Sequence, residues 1–351
     1  MKTLAKMLAF ALLLILAFGI KGAKAHDKYT KVVKEEYPIT PDGQLIISNK
    51  FGKVHCNNWD KNAVSFEITV TVEASDDKVA STALDRIDFV FNSYPSQIEA
   101  KTRFKEGAGQ GNTNIKVDYI VNMPASINLD ITNKFGDIYI NETTGKSKIN
   151  LGYGNLEANK LGNSDNLLDI NFGKANVKWM KGAVTMLKYS NMELEYTGNI
   201  RLDSKYSNLD ADKIISMNAS FEGGKLKVRN STAIEITSKF ADLEIERIDR
   251  SLTLDIQYGN CRVSEMPAEF TNIRLNNKFG NVSVHISENA VYQLDSELSF
   301  CDLDYPSEHA KLSYRSVSPL EKIYRGIVGE GTDTPAAKVF IRAEYGSVSL
   351  K

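Results

Sequence analysis

The sequence predicts an all-β fold, a single-stranded parallel β-helix (β-solenoid) with about 18 residues per coil, capped N-terminally by a small strand-helix-strand element. Three observations lead to this prediction. A short aromatic motif recurs along the chain, and the apolar residues between its copies alternate as they do in β-strands. The parity of this alternation slips by one residue at each copy. No repeat contains a helical pattern, which argues against βαβ architectures and leucine-rich horseshoes.

Residues 1–25 have the pattern of a secretory signal peptide. Lys2 and Lys6 precede an apolar run at residues 7–20, and Ala23 and Ala25 are small residues at the positions that a signal peptidase reads. The run is short for a membrane span. We therefore expect cleavage near Ala25 and export to the periplasm or the cell surface. An uncleaved N-terminal anchor is the alternative.

The composition after residue 25 excludes several classes of function. Removing four lysines leaves 39 basic and 44 acidic residues, a net charge of −5, which argues against nucleic acid as a partner. No later stretch is long and apolar enough to cross a bilayer. The odd set of Cys56, Cys261 and Cys301 does not resemble a disulfide framework. The four histidines lack the spacing of metal ligands, and we expect no metal or cofactor.

Residues 26–125 are predicted to form N-terminal strands and a capping element. Residues 64–72 alternate as a strand, and residues 76–88 place apolar side chains at helical spacing, with Ser75 or Asp76 as the N-cap. Strand-like segments follow. Such an element could cover the unpaired edge of the first coil, which would otherwise recruit other chains.

Residues 126–304 are predicted to form the repeats. Each copy of the motif is an aromatic residue, then a small one, then usually Asn or Asp, then an aliphatic one. The copies begin at Phe135, Tyr153, Phe172, Tyr189, Tyr206, Phe221, Phe240, Tyr258, Phe279 and Phe300, of which the Phe172 copy is weak and the Phe221 copy, Phe221-Glu222-Gly223-Gly224, is degenerate.

The parity slip indicates a bend of two residues at each copy. Leu254, Ile256 and Tyr258 share one parity, whereas Cys261 and Val263 after the motif have the other. A bend keeps both strands facing one interior, where a straight strand would turn its apolar face to water. We expect the aromatic residues to lie above one another inside the corner and Asn or Asp to take the left-handed backbone. An antiparallel barrel or sandwich is the competing fold, and a calcium-binding Asn/Asp ladder is the competing function of the motif.

Residues 305–351 are predicted to be a loop insertion followed by closing strands. Pro306, Pro319 and Pro335 interrupt the period within residues 305–337. Residues 339–350 then recover one last copy of the motif, which begins at Tyr345.

Three segments resemble the bacterial "putative adhesin" families, exported β-solenoids of unknown function that are common in Bacteroidetes-type envelopes. The segments are residues 45–54 followed by Trp59-Asp60, residues 121–124 leading into residues 129–140, and the closing residues 344–348. This resemblance implies an exported β-solenoid and adhesion, and no catalytic residues carry over. The insertion at residues 305–337 departs from the family pattern.

Two outward rows of polar residues beside the motif are the candidate ligand-facing surface. Lysine recurs one residue before the aromatic residue, at Lys188, Lys205 and Lys239 among others, and a row of Asp, Asn and Thr includes Asp203 and Asp255. One interpretation is a solvated face that keeps the protein soluble. The other is a strip that binds a glycan or a polyanion at repeated sites.

The spacing of carboxylates argues against catalysis. Asp169 and Asp203 share a row, but Met186 lies between them, so stacking would separate them by about 9.6 Å. By the same measure, Cys261 and Cys301 are two coils apart and are expected to remain free thiols. We therefore expect a non-enzymatic, adhesin-like or structural envelope protein. The alternatives are an envelope-stress or regulatory module that contacts a membrane protein, or another envelope protein, and a carbohydrate-binding or carbohydrate-active protein.

Overall fold

The computed structural model describes residues 27–109, 113–330 and 335–351. Of these residues, 75% are in strands and 3% in helix, which confirms the all-β class. The 22 strands belong to one hydrogen-bonded sheet. The predicted signal peptide and its cleavage point lie outside the described residues.

The described elements follow the order of the chain. They are β1 (Asp27–Pro38), β2 (Gln44–Phe51), β3 (Val54–Asn58), β4 (Ala63–Ala74), α1 (Asp77–Asp85), β5 (Ile87–Tyr94), β6 (Gln97–Phe104), β7 (Asn114–Met123), β8 (Asn128–Phe135), β9 (Ile138–Thr143), β10 (Ser147–Leu161), β11 (Asn166–Asn171), β12 (Gly173–Lys188), β13 (Asn191–Gln257), β14 (Asn260–Met266), β15 (Asn272–Lys278), β16 (Asn281–Ile286), β17 (Tyr292–Ser299), β18 (Asp302–Asp304), a 3-10 turn (Ser307–His309), β19 (Ala310–Val317), β20 (Glu321–Val328), β21 (Ala337–Glu344) and β22 (Ser347–Leu350).

The middle of the chain pairs in parallel with itself, one repeat against the next. β8 and β9 pair with β10, β10 and β11 pair with β12, and β12 pairs with β13, so residues about one motif apart become neighbours. The alternate apolar residues predicted to share an interior, such as Leu252, Leu254 and Cys261, are buried in one continuous cluster. Burial of each such side chain stabilises the fold by about 1.5–3 kcal/mol.

The N-terminal part contains the predicted helix between antiparallel strands. β4 pairs antiparallel with β1 and with β7, and β5 pairs antiparallel with β6. The Oδ1 atom of Asp76 accepts a hydrogen bond from the backbone N–H of Val79 at 2.9 Å, which makes Asp76 the N-cap of α1. Ala80 and Ala83 of α1 are buried. β2 pairs in parallel with both β6 and β8, which joins this part to the repeats.

The last copy of the motif in the sequence is not the last in space. β21 pairs in parallel with β15 on one side and β17 on the other, and β22 lies in the same way between β16 and β18. The Tyr345 copy is therefore inserted between the Phe279 and Phe300 copies. The antiparallel strands β19 and β20 belong to the predicted insertion, and β20 also pairs with β17.

This insertion corrects the predicted spacing of two cysteines. Cys261 pairs with Val282, Val282 with Val348, and Val348 with Leu303 two residues after Cys301, so three repeats separate the cysteines where the sequence predicted two. Cys56, Cys261 and Cys301 are free thiols. Burial raises the pKa of the Cys261 thiol to about 12.

Candidate binding surface: an exposed column of aromatic rings

The aromatic residues of the motif lie outside the corner, and the expectation that they lie inside it is wrong. Tyr189 and Tyr206 are each 56% exposed. The expectation that Asn or Asp takes the left-handed backbone is wrong as well. From Phe172 onward the aromatic residue itself has a positive φ, between 49° and 57° in the eight copies at Phe172, Tyr189, Tyr206, Phe240, Tyr258, Phe279, Phe300 and Tyr345. The backbone turn at the aromatic residue directs its side chain away from the interior.

The exposed rings and two half-buried ones, Phe51 and Phe135, stack on one another in what we call the aromatic column. Six rings form one run, with centroids 5.0–5.4 Å apart, and five form a second run, with centroids 4.8–5.2 Å apart. A left-handed backbone costs a non-glycine residue about 1–2 kcal/mol. Stacking stabilises an aromatic pair by about 0.5–1.5 kcal/mol, which offsets that cost. The runs are Phe51, Phe135, Tyr153, Phe172, Tyr189 and Tyr206, then Phe240, Tyr258, Phe279, Tyr345 and Phe300.

The Asn and Asp residues of the motif form a hydrogen-bonded row beside the column. The Nδ2 atom of Asn208 donates to Oδ1 of Asn191 at 2.7 Å, and the Nδ2 atom of Asn281 donates to Oδ1 of Asn260 at 3.1 Å. Asp242 accepts from Asn260 in the same way. The preference of the motif for Asn or Asp is explained by these side-chain bonds between neighbouring copies. In the described part of the chain, no group of three or more His, Cys, Asp and Glu side chains could hold a metal ion.

The lysines predicted to flank the aromatic residues are exposed, but their row has mixed charge. Lys188 pairs directly with Lys205. The next position is Glu222, whose carboxylate lies 3.6 Å from the ammonium group of Lys205, and Lys239 follows 17 residues later. Because Glu222 separates Lys205 from Lys239, the three lysines do not form an uninterrupted cationic strip.

The two aspartates of the predicted surface lie in the same outward row but far apart. Met186 pairs with Asp169 on one side and with Asp203 on the other, as the sequence predicted. Asp255 pairs with Asn276 in a later part of the row and is half-buried. Three repeats separate Asp203 from Asp255, on the order of 14 Å at the spacing of strands.

The aromatic column is interrupted at the degenerate copy of the motif. The backbone N–H of Lys225 donates to Oδ1 of Asn208, the same contact that Asn155 makes with Asp137. This register places Gly223 opposite Tyr206, and Gly223 also has a positive φ, of 73°. Phe221, taken from the sequence as the motif aromatic, is instead buried in the interior. The sequence signal for this shift is the Gly223-Gly224 pair, since glycine adopts positive φ without strain.

These features define a class, an all-β protein with an external column of stacked aromatic rings. No helix in the described ranges has the length and apolar character needed to span a membrane. No family model matches the chain, and no curated protein is similar enough to match it.

Solved structures do match over most of the chain, with low sequence identity. A putative cell adhesion protein from Clostridium sporogenes is 12% identical, with a TM-score of 0.19, over 91% of this chain and 99% of that one. A putative adhesin from Parabacteroides distasonis is 10% identical, with a TM-score of 0.29, over 92% and 97%. A putative adhesin from Bacteroides fragilis is 10% identical, with a TM-score of 0.24, over 92% and 97%. The names of these proteins agree with the resemblance found in the sequence motifs. Their TM-scores are too low to establish a common function.

Proposed function

We propose that this chain is an exported, non-enzymatic β-solenoid of the cell envelope that acts as an adhesin-like protein and binds an extended glycan along the aromatic column. The observation that carries the proposal is the column itself, eleven stacked rings in two runs, of which nine are exposed. Exposed contiguous apolar surface with a polar rim is typical of interaction sites.

The pairing of successive repeats supports the solenoid. Residues 17–19 positions apart pair in parallel through β8, β10, β12 and the start of β13, and their side chains fall into continuous inner and outer rows. β13 is 67 residues long but contains left-handed residues at Tyr206, Gly223 and Phe240. It is therefore a series of short strands joined by bends.

The chemistry of the column supports a sugar polymer as the ligand. The C–H faces of a pyranose can lie against aromatic rings while its hydroxyl groups reach polar neighbours. The column offers both, because the charged row of Lys188 and Lys205 and the hydrogen-bonded row of Asn191 and Asn208 flank the rings. A polymer that contacts several equivalent positions would gain avidity without any single strong site. The outward carboxylates Asp169 and Asp203, separated by Met186, support binding without hydrolysis.

A glycan array tests the proposal. We expect the mature chain, residues 26–351, to bind at least one polysaccharide, and the double variant Tyr189→Asn, Tyr258→Asn to bind it at least tenfold more weakly. Asparagine tolerates the left-handed backbone at both positions. The matched control is Tyr94→Asn, Tyr314→Asn, because these tyrosines are also about half-exposed or more but lie off the column. Equal binding by the column variant and the control would contradict the proposal.

A second variant tests the charged residues that the sequence predicted as ligand-facing. Replacing Lys188, Lys205 and Lys239 together with alanine is expected to weaken binding of an acidic glycan more than binding of a neutral one. Replacing Asp203 and Asp255 with asparagine should have little effect, because the two residues are too far apart to act on one sugar. Unchanged binding of every glycan by the lysine variant would remove the lysines from the proposed surface.

A further inference from the structure

The interruption of the aromatic column leaves a space between two rings, which we call the Gly223 slot. Tyr206 ends the first run of rings and Phe240 begins the second, and Gly223 lies between them without a side chain. Two steps of the strand spacing separate the positions of these rings by about 10 Å. This is twice the separation of neighbouring rings in the column, so one further ring fits between the two positions once the Tyr206 ring stands parallel to its neighbours.

The walls of the slot are aromatic. Phe240 is 65% exposed, the highest value in the column. It stacks on Tyr258 with the face of its ring that points away from the slot. An ideal Cβ at Gly223 would lie 2.9 Å from Cδ1 of Tyr206, which shows that the Tyr206 ring leans over the glycine. Tyr206 is the wall that would move back when a ring enters.

The rim of the slot is polar on both sides. On one side, the ammonium group of Lys205 lies 3.6 Å from the carboxylate of Glu222, and both side chains are about half-exposed. On the other side, Asn208 accepts a hydrogen bond from the backbone of Lys225, and Asp242 accepts one from Asn260. Hydrogen-bond donors and acceptors thus border a space with aromatic walls.

We infer that the Gly223 slot is the principal subsite of the glycan surface and takes one pyranose ring, held between Tyr206 and Phe240. This inference rests on the proposed function. A pyranose combines two apolar C–H faces with hydroxyl groups around its edge, which matches aromatic walls and a polar rim. A purely aromatic group would match the walls but would offer no hydroxyl groups to the charged and amide side chains of the rim.

Filling the slot tests the inference. Gly223→Tyr places a ring where the ligand is expected, and the left-handed backbone at this position suits tyrosine, since Tyr189, Tyr206 and Tyr258 adopt similar φ values. Isothermal titration calorimetry would use cellohexaose, chitohexaose, laminarihexaose and hexagalacturonate as probes, with p-cresol as an analogue of a tyrosine side chain. We expect at least one hexasaccharide to bind the mature chain and Gly223→Tyr to weaken that binding at least tenfold.

Two controls separate the slot from the rest of the surface. Asn230→Tyr adds the same ring at an exposed position outside the column and outside the two polar rows that flank it, and it should leave the affinity unchanged. Phe240→Ala, which removes one wall, should weaken binding by a larger factor than Tyr153→Ala, which removes a ring of the column far from the slot. Circular dichroism would verify that each variant is folded.

The outcomes are distinguishable. Wild-type affinity in Gly223→Tyr would overturn the slot and leave the glycan surface standing. Absence of binding by the wild-type chain to all four hexasaccharides and on the glycan array would overturn the proposed function together with the slot. Binding of p-cresol in preference to every hexasaccharide would overturn the assignment to carbohydrate and point to an aromatic peptide ligand.

Discussion

Two kinds of repeat place their aromatic rings on opposite sides of the sheet. One kind contains Tyr189 or Tyr206, and the other contains Gly223. In the first kind, the ring is outside in the column, and the inner position two residues before it holds Leu187 or Ser204, which pair with each other. In the second, the ring is inside, at Phe221, and the column position is Gly223. The comparison shows that the motif specifies a bend. The large aromatic side chain can lie either at the bend, on the surface, or two residues earlier, in the interior.

The neighbours of Phe221 explain why a large ring fits inside at this position. At the 17-residue spacing of these repeats, Ser204 and Ser238 are the inner residues on either side of Phe221, and both are buried. Their small side chains leave room for the ring above and below, so the total volume of the row is maintained. The hydroxyl groups of both serines have no hydrogen-bond partner. Their polarity is a cost that the packing of Phe221 offsets.

The largest expected effect comes from removing the inner ring. Phe221→Ala should destabilise the protein by about 3–5 kcal/mol, because it leaves a cavity between two serines. Phe240→Ala, which removes an exposed ring with one stacking partner, should cost no more than about 1.5 kcal/mol. Urea denaturation followed by circular dichroism measures both. Equal losses of unfolding free energy in the two variants would show that the inner and outer rings contribute equally to stability.

The sequence predicted the inner rows well and the outer column poorly. Alternation placed Leu252, Leu254, Ile256 and Val263 in the core, where they are buried, because a two-residue period directly reports which face of a strand is dry. Counting parity also placed Tyr258 inside. It lies outside because a residue with a left-handed backbone breaks the alternation, and backbone dihedrals cannot be read from a hydrophobic pattern.

The order of the repeats in space was the second feature that the sequence did not reveal. The period predicted that successive copies are neighbours, and this holds from Phe135 to Tyr206. It fails at Tyr345, which stacks between Phe279 and Phe300. Whether a strand adds to an end or enters between two existing strands depends on long-range pairing. The local motif of Tyr345 is the same in both cases, so its residues carry no signal of the insertion.

A small gain in stability is expected when the gap in the column is filled, in contrast to the losses expected for Phe221→Ala and Phe240→Ala. Gly223→Phe should stabilise the protein by no more than about 1 kcal/mol, because stacking on Tyr206 and on Phe240, about 0.5–1.5 kcal/mol for each pair, only slightly exceeds the cost of about 1–2 kcal/mol of a left-handed backbone. Phenylalanine has a comparable backbone conformation at Phe172 and Phe240. The midpoint of urea denaturation measures the change.

The adjacent glycine provides a matched control for this prediction. A Cβ at Gly224 would overlap the backbone carbonyl oxygen of Ser207, and its φ is 91°. Gly224→Ala should therefore destabilise the protein, although it is a smaller change than Gly223→Phe. Destabilisation by both substitutions would indicate that the Tyr206 ring cannot move back into a parallel stack.

The smallest effect on stability is expected from changes in the row of lysines. The repeat that contains Gly223 also differs from its neighbours in this row. Glu222 takes the position that lysine occupies at Lys188, Lys205 and Lys239, and its pair with Lys205 is half-exposed. A double-mutant cycle of Lys205→Ala and Glu222→Ala should give a coupling energy of about 0.2–1 kcal/mol, as for other exposed ion pairs. The coupling should fall further in 1 M NaCl, where the Debye length is about 3 Å. A coupling above that range that persisted in high salt would mean that Glu222 also fixes the register of the repeat that contains Gly223. In that case, the gap in the column would depend on charge as well as on the volume of Phe221.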